Sequence, residues 1–198
     1  METLDEYLRR LASSDAVPGG GSAAALVGAL GAALVAMVGR IMAEPIDGPV
    51  SQADRLRDEL SAARLRDEAA FRAVVAAQAL PKAGDAERAA RRDAIEAALQ
   101  RAAQEPLHAS ALALEVLKLT LQLVEARTGA LASDVGCAAE FAYAALTACA
   151  YNVRINHRYM HDAGVIANQA SKLDSDQSEA ALIVERVRDA VARALEKP

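Results

Sequence analysis

The stretch Val17-Pro18-Gly19-Gly20-Gly21-Ser22 decides the fold. Proline restricts its own φ, and three successive glycines reach backbone angles that are closed to other residues. The run Ala23–Leu34 that follows is built of Ala, Gly, Leu and Val, so neighbouring helices can approach its backbone closely. The free N–H groups at the start of such a helix attract anionic or carbonyl oxygens. We therefore predict a turn that presents amides, joined directly to a core helix, with Ser22 beside the first free amides.

The composition favours a single all-α domain spanning residues 1–198. Apolar residues make up 53% of the 198 residues, yet aromatic residues make up only 3% and alanine dominates. Such a composition suits closely packed helices better than sheets, because β-propensity depends on branched and aromatic side chains. The net charge is −5, and no basic stripe is interleaved with aromatic residues. Nucleic-acid binding is therefore not expected.

Apolar periodicity and the positions of proline and glycine predict the order of helices. The first is a short amphipathic helix with Leu4, Leu8 and Leu11 on one side. Pro106 either starts a new helix or kinks a continuous one, and the sequence leaves both open. We expect a looser segment over 160–176. The predicted helices cover about 1–12, 20–43, 51–79, 86–103, 106–127, 133–157 and a terminal stretch ending at 195.

The uncharged run Gly19–Gly39 is long enough to resemble a membrane span. Gly, Ala and Ser fill over half of its positions, and Asp15 interrupts any signal-peptide pattern, so a buried core helix is the better interpretation. Cys137 and Cys149 lie about 18 Å apart on one predicted helix, too far for a disulfide. Buried free thiols are expected, as in a reducing cytoplasm. Neither these cysteines nor the His157/His161 pair has the ligand set of a metal site.

Two groups of polar residues are candidates for chemistry. Asp134, Asn152 and Asn156 fall on one stripe of the helix after Ser133, so Asp134 is either a catalytic carboxylate or a helix cap. The two asparagines would bind a heterocycle's polar edge or make interhelical hydrogen bonds. Asp67 shares a helix face with Phe71, Val74 and Gln78. Burial there would raise its pKa and suit a proton carrier, although an ordinary hydrogen-bonded acid fits equally well.

Two basic residues are weaker candidates. Arg154 lies about 200° around the helix from Asn152, so it faces elsewhere. It would form a surface or interface salt bridge, or reach an anionic ligand tail. Lys82 follows a loop proline, so a solvent-exposed lysine is expected in preference to a functional one.

Several motifs in order resemble the cyclodeaminase/cyclohydrolase family of folate enzymes. They are Pro18-Gly-Gly-Gly-Ser-Ala-Ala-Ala-Leu26, Asp67-Glu-Ala-Ala-Phe71, Leu80-Pro-Lys82, Ser133-Asp-Val-Gly136 and Asn152-Val-Arg-Ile-Asn156. The resemblance implies an all-α homodimer that acts on a small molecule, a tetrahydrofolate derivative, without metal or other cofactor and without a membrane or nucleic-acid partner. The implied reaction is hydration of a methenyl bridge or cyclodeamination of a formimino group, by proton transfer and positioning.

The same resemblance assigns roles to individual residues. The proton carriers would be Asp134 and Asp67. The substrate contacts would be Pro18, Gly19, Gly20, Gly21, Ser22, Lys82, Ser133, Asn152, Arg154 and Asn156. The enzymatic interpretation depends on the glycine turn and Asp134 lining one cavity.

One segment departs from the family pattern. Family members commonly carry a Gly-Lys-Lys-Lys-Tyr-like segment after the central helix, whereas this chain has Met42-Ala-Glu-Pro-Ile-Asp47, with no lysine or tyrosine. Two alternatives to a folate enzyme therefore stay open. The chain would act on a non-folate substrate by cyclisation, hydration or deamination, or it would be a non-catalytic dimer that binds a ligand.

Overall fold

Six α-helices account for most of the chain in a computed structural model, which describes residues 2–42, 47–126 and 129–196. No strand occurs in these ranges, so the predicted all-α class is confirmed. A short 3₁₀ turn, Gly129–Leu131, precedes the fifth helix. The helices are α1 Leu4–Leu11, α2 Gly20–Ile41, α3 Asp47–Gln78, α4 Asp85–Glu125, α5 Ala132–His157 and α6 Ala163–Leu195.

Helix α2 lies at the centre because its small residues admit its neighbours. A β-carbon added at Gly28 would lie 3.2 Å from Leu60 Cδ2 on α3. One added at Gly31 would lie 3.1 Å from the Ala138 carbonyl oxygen on α5. Larger side chains at these positions would push the helices apart and lose dispersion contacts along the whole interface.

Helices α2, α3, α4 and α5 form a four-helix arrangement, and α6 packs across α4 and α5. The main core draws on all five of these helices. Both α2 and α4 contain an 18-residue window apolar enough to cross a membrane by composition, and 61% of each window is buried in the protein. This burial is what a core helix requires.

A second, smaller apolar cluster forms where α3 and α4 extend beyond the start of α2. It contains Val74, Ala77, Ala98, Leu99, Ala102, Ala103 and Met160. The cluster joins the end of α3, the first half of α4 and the segment after α5. It supports the site described below.

The structure decides between the two alternatives left open for Pro106 and corrects the prediction for the segment after α5. Helix α4 runs without a break through Pro106, so the proline lies inside it and starts no new helix. Helix α6 begins at Ala163, where a looser segment over 160–176 was expected. The Asp162 side chain caps α6 by accepting hydrogen bonds from the N–H groups of Gly164 and Val165. Its buried stripe includes polar Gln169 and Asp176 beside Leu173, which hid the helical period.

The expected face of α1 is also wrong. Leu4 and Leu8 are 61% and 50% exposed, whereas the Tyr7 side chain is buried, with only 2% of its surface exposed. A capping box between Thr3 and Glu6 starts this helix. Of the two thiols predicted to be buried, Cys149 is buried and Cys137 is exposed, and both are free.

Candidate functional site

A cavity of about 460 Å³ lies where α2 begins. Helix α2 starts beside Asp67, so the rest of α3 and the first part of α4 continue past it and enclose a space with the end of α5. The polar end of the cavity is formed by Gly19, Gly20, Gly21, Asp67, Asn152 and Asn156. The structure therefore brings together six of the residues singled out from the sequence.

The Asp67 carboxylate lies directly against the first turn of α2. It accepts a hydrogen bond from the Ser22 backbone N–H. A β-carbon at Gly21 would lie 2.7 Å from Asp67 Cγ and 2.8 Å from Oδ2, closer than real β-carbons approach. Glycine is thus required at residue 21 for a close approach between a helix backbone and an acid. The positive end of the α2 dipole favours the carboxylate there.

Asp67 titrates near neutral pH. Burial raises its pKa from 3.8 to about 6, and the nearby carboxylates of Glu68 and Glu105 act in the same direction. The hydrogen bond from Ser22 opposes the shift. A carboxyl group with this pKa exchanges protons readily at physiological pH, as a general base or acid must.

The two predicted asparagines present acceptors to the cavity. The Asn152 amide group donates to the Ala148 carbonyl oxygen at 2.9 Å. The Asn156 amide group donates to the carbonyl oxygens of Asn152 at 2.8 Å and Ala102 at 3.0 Å. Both N–H donors of Asn156 and one of the two on Asn152 are used internally, so the Oδ1 atoms and the second Asn152 N–H are left for a ligand.

Pro106 explains why the Ala102 carbonyl is available to Asn156. In a regular helix this carbonyl would accept the N–H of the residue four positions later, but Pro106 has no N–H. The Asn156 side chain supplies the missing donor across the α4–α5 interface. A proline inside α4 therefore helps to hold a side chain of the cavity.

The opposite end of the cavity is apolar. It is lined by the face of α3 predicted from the sequence, by residues of α4 and α5, and by the turn that follows α5. These residues are Phe71, Val74, Gln78, Ile95, Leu99, Ala102, Ile155 and Tyr159. The cavity thus suits a flat ligand with one polar edge and one apolar ring.

Five of the ten predicted substrate contacts, Ser133 among them, do not line the cavity. Pro18 and Ser22 are buried behind the turn, and the Ser22 side chain is fully enclosed. Lys82 is exposed in the connection between α3 and α4. Arg154 is exposed and bonds to Gln177 at 2.8 Å and Asp174 at 3.4 Å on α6. Arg154 thus forms a surface salt bridge, one of the alternatives predicted for it.

Asp134 and Ser133 lie away from the cavity, and the expectation that Asp134 and the glycine turn share one hollow fails within one chain. Both residues belong to the first turn of α5, while Asn152 lies 18 residues later. At 1.5 Å per residue the separation is about 27 Å. Asp134 and Asn152 therefore lie on the same face of α5 but at opposite ends of the helix. Ser133 lines a different groove with Phe141, Val187 and Leu195.

The departure from the family pattern also falls at that distant end. Residues 43–46 lie outside the described part of the chain, but Met42 immediately follows α2. Helix α2 has 22 residues, so Met42 lies about 33 Å from the glycine turn. The absent lysine consequently concerns a position remote from the cavity of the same chain.

Sequence reasoning missed a buried polar cluster behind the glycine turn, made by Tyr7 and Glu68 with Ser22. The signal was present, because Glu68 falls between Arg64 and Arg72 at helical spacing and Asp67 precedes it. In the described ranges, no three His, Cys, Asp or Glu side chains cluster as metal ligands.

Comparison with known proteins agrees with this architecture. Residues 3–175 match the formiminotransferase-cyclodeaminase family. The chain belongs to that family. The resemblance drawn from the sequence motifs is thereby confirmed.

Members of the formiminotransferase-cyclodeaminase family resemble this chain to different extents. A methenyltetrahydrofolate cyclohydrolase from Methylorubrum extorquens is 36% identical over 199 residues, covering 96% of each chain. The formimidoyltransferase-cyclodeaminase of Rattus norvegicus is 31% identical over 81% of this chain, which spans only 31% of that protein. The crystal structure of a formiminotetrahydrofolate cyclodeaminase from Thermotoga maritima superimposes with a TM-score of 0.87 over 98% of each chain, at 23% identity, and so establishes the fold.

Proposed function

We propose that this protein is a folate one-carbon enzyme and that its reaction is hydration of the methenyl bridge of methenyltetrahydrofolate. The observation that carries the proposal is Asp67, a half-buried carboxyl group held against the start of α2 inside a ligand-sized cavity. The cyclohydrolase of similar length, 36% identical over nearly the whole chain, supports hydration over other reactions of the family.

Charge complementarity favours this substrate. The methenyl bridge joins two nitrogens through one carbon and carries a delocalised positive charge. Asp67 is the one charged side chain among the described residues that line the cavity. A carboxylate in a partly dehydrated site attracts such a cation more strongly than it would in water.

Asp67 can act as the general base of the hydration. The oxygen of a water molecule bonds to the methenyl carbon while one of its protons passes to the Asp67 carboxylate. The added hydroxyl group then loses its proton as the carbon–nitrogen bond to the pterin ring breaks, and the carbon becomes a formyl group on the other nitrogen. The freed nitrogen takes up the proton held by Asp67, and one proton is released overall. The N–H groups of Gly20 and Gly21, in the first turn of α2, can stabilise the developing oxygen charge.

The remaining walls orient the substrate. The Oδ1 atoms of Asn152 and Asn156 accept hydrogen bonds from the N–H donors of the pterin ring. Phe71, Leu99 and Tyr159 lie at the apolar end and contact the aromatic ring beyond the bridge. Fixing both rings places the bridge carbon beside Asp67 and reduces the entropic part of the barrier.

A spectroscopic assay of methenyltetrahydrofolate loss tests the proposal. We expect turnover by the wild-type chain and a fall of about 10²–10⁴-fold in kcat for Asp67→Asn, the range typical of a lost general base. The uncatalysed rate is subtracted with enzyme-free samples at each pH. Folded wild-type protein that adds nothing to that rate would contradict the proposal.

Cyclodeamination of formiminotetrahydrofolate is the second candidate. A carboxyl group with a pKa of about 6 is also protonated often enough to help ammonia leave, while the second folate nitrogen attacks the formimino carbon. Ammonia release from the formimino substrate, without loss of methenyltetrahydrofolate, would favour this reaction.

We also propose that the protein is a cytoplasmic homodimer. Leu30 is 50% exposed on α2. Phe141 is 38% exposed on α5, where it lines the same apolar groove as Ser133. A second copy of the chain would cover this surface. The free thiols of Cys137 and Cys149 support a reducing compartment. Catalysis by Asp134 would require that second copy to bring it to the cavity, and it stays a prediction.

A further inference from the structure

We propose that Tyr7, Ser22 and Glu68 are positioning residues that hold the Ser22 backbone amide against the Asp67 carboxylate. Ser22 would then serve the reaction through its backbone and touch no substrate. This inference rests on the proposed function for its catalytic meaning. The bonds among Tyr7, Ser22 and Glu68, and the close approach of Asp67 to the first turn of α2 at Gly21, stand on geometry.

A chain of hydrogen bonds connects the three residues behind the glycine turn. The hydroxyl groups of Tyr7 and Ser22 are 3.0 Å apart, and Ser22 Oγ donates to Glu68 Oε1 at 3.2 Å. Because the Ser22 hydroxyl has a single proton, the Tyr7 hydroxyl donates to Ser22. The exposed fractions are 2% for Tyr7, 0% for Ser22 and 2% for Glu68. The Ser22 side chain is thus fixed from two sides.

Arginines on α1 and α3 anchor the chain at its far end. Arg10 Nη2 lies 3.3 Å from both carboxylate oxygens of Glu68, and Arg72 Nη2 lies 3.0 Å from Oε2. The Arg64 guanidinium stacks over the Tyr7 ring, 4.6 Å from its centre. A buried carboxylate is costly unless it is paired in this way. The network therefore ties α1, the start of α2 and the middle of α3 together.

Ser22 lies between two carboxylates that are adjacent in sequence but point in different directions. Its N–H donates to Asp67, which faces the cavity, and its hydroxyl donates to Glu68, which faces the buried network. If the hydroxyl anchor is lost, the first turn of α2 can shift and the amide moves away from Asp67. The buried network therefore acts on the cavity through a single residue.

The groups around Asp67 determine how its pKa would change when one of them is substituted. Glu68 on its own helix and Glu105 on α4 favour the protonated acid, as does burial. The Cys149 thiol approaches from α5, and Arg10 and Tyr7 on α1 reach Asp67 only through Glu68 and Ser22. The Ser22 amide is the group that favours the ionised form. Weakening the amide contact and removing the Glu68 charge should thus move the Asp67 pKa in opposite directions.

The test is a carbon-13 NMR titration of aspartate-labelled, substrate-free protein, with the Asp67 signal assigned by its absence in Asp67→Asn. We expect Ser22→Ala and Tyr7→Phe to raise the pKa of Asp67, and Glu68→Gln to lower it, each by about half a pH unit or more. Ser110→Ala is the matched control. It removes an equally buried serine hydroxyl, bonded within α4 to the Leu107 carbonyl oxygen, and should leave the Asp67 pKa unchanged.

Kinetics give the second readout. In the Tyr7→Phe and Ser22→Ala variants the pH at which kcat/KM falls by half should move in the same direction as the NMR titration, with KM nearly constant. Unchanged pKa values in all folded variants, or shifts of one common sign, would overturn the inference. Tyr7→Phe keeps the buried ring and so tests the idea even if Glu68→Gln fails to fold. Because the NMR measurement needs no folate, absent turnover would count against the proposed function alone.

Discussion

At the scale of single residues, the contact between Gly21 and Asp67 makes the sharpest prediction. A methyl group at residue 21 would overlap the Asp67 carboxyl group and push it out of hydrogen-bonding range of the Ser22 amide. We expect Gly21→Ala to lower kcat by about 10²-fold or more, comparable to losing the base. Gly84→Ala is the control, because a β-carbon there meets nothing within 4 Å and lies at the start of α4. Equal activities of the two variants would contradict the prediction.

The ionised Asp67 carboxylate should also lower the free energy of unfolding. Its pKa is raised on folding from 3.8 to about 6, so the folded state holds the proton more tightly and stability falls as pH rises between these values. Above pH 6 the cost is fully present, on the order of 1–3 kcal/mol for a half-buried group. We expect Asp67→Asn to increase the free energy of unfolding in urea at pH 7.5 and to change it little below pH 4.

The exposed loop residue Asp15 supplies the comparison for that measurement. Asp15→Asn removes a solvated carboxylate and should leave the free energy of unfolding unchanged at both pH values. A stabilisation of Asp67→Asn that did not depend on pH would show that ionisation of this carboxyl group is not its cause.

The sequence predicts which residues line the cavity where this depends only on spacing within one helix. The shared face of Asp67, Phe71, Val74 and Gln78 follows from spacing within one helix, and all four line the cavity. The role of Ser22 could not be deduced in the same way. Its partners Tyr7 and Glu68 lie 15 and 46 residues away in the chain, so only the packing of α1 and α3 reveals them.

At the scale of helices, Pro106 links α4 to the cavity. In Pro106→Ala the new N–H competes with Asn156 for the Ala102 carbonyl oxygen. We expect a rise in Tm of a few degrees, because proline costs about 3 kcal/mol in a helix interior and only part of this is recovered here. KM should rise, because Asn156 loses a partner that fixes its side chain.

A double-mutant cycle separates these effects. In an Asn156→Ala background, Pro106→Ala should still raise Tm but should no longer change KM. An identical change of KM in both backgrounds would mean that the proline acts on the cavity by some route other than this hydrogen bond.

The order of helices was largely predictable and their continuity was not. Glycines mark the start of α2 and Pro81 marks the end of α3 in the sequence. Pro106 is ambiguous because the donor that replaces its missing N–H comes from another helix. The start of α6 was missed because Gln169 and Asp176 are buried on its inner face, against the usual preference of polar side chains.

At the scale of the whole molecule, the exposed apolar surface predicts self-association. We expect a dimer in sedimentation equilibrium, and Phe141→Lys should shift it toward the monomer by placing a charge in the contact. Leu182→Lys is the control, because Leu182 is 71% exposed on the side of α6 that faces away from the groove residues Val187 and Val191. A monomeric wild-type protein at micromolar concentration would contradict this prediction.

The position of Asp134 can be tested in the same assembly. Within one chain it lies about 27 Å along α5 from Asn152, so we expect Asp134→Asn to reduce turnover far less than Asp67→Asn. If both variants lost turnover equally and mixing them restored part of it, Asp134 would act in the cavity of the partner chain. Such complementation would restore the role that the sequence motif suggested for it.

The cavity is bordered by its own small apolar cluster, separate from the main core of the bundle. Mutations along the overhanging parts of α3 and α4 can therefore alter ligand preference at little cost to folding of the rest. During evolution, substitutions in the parts of α3 and α4 that border the cavity can therefore change the one-carbon substrate, while the main core of the bundle stays the same.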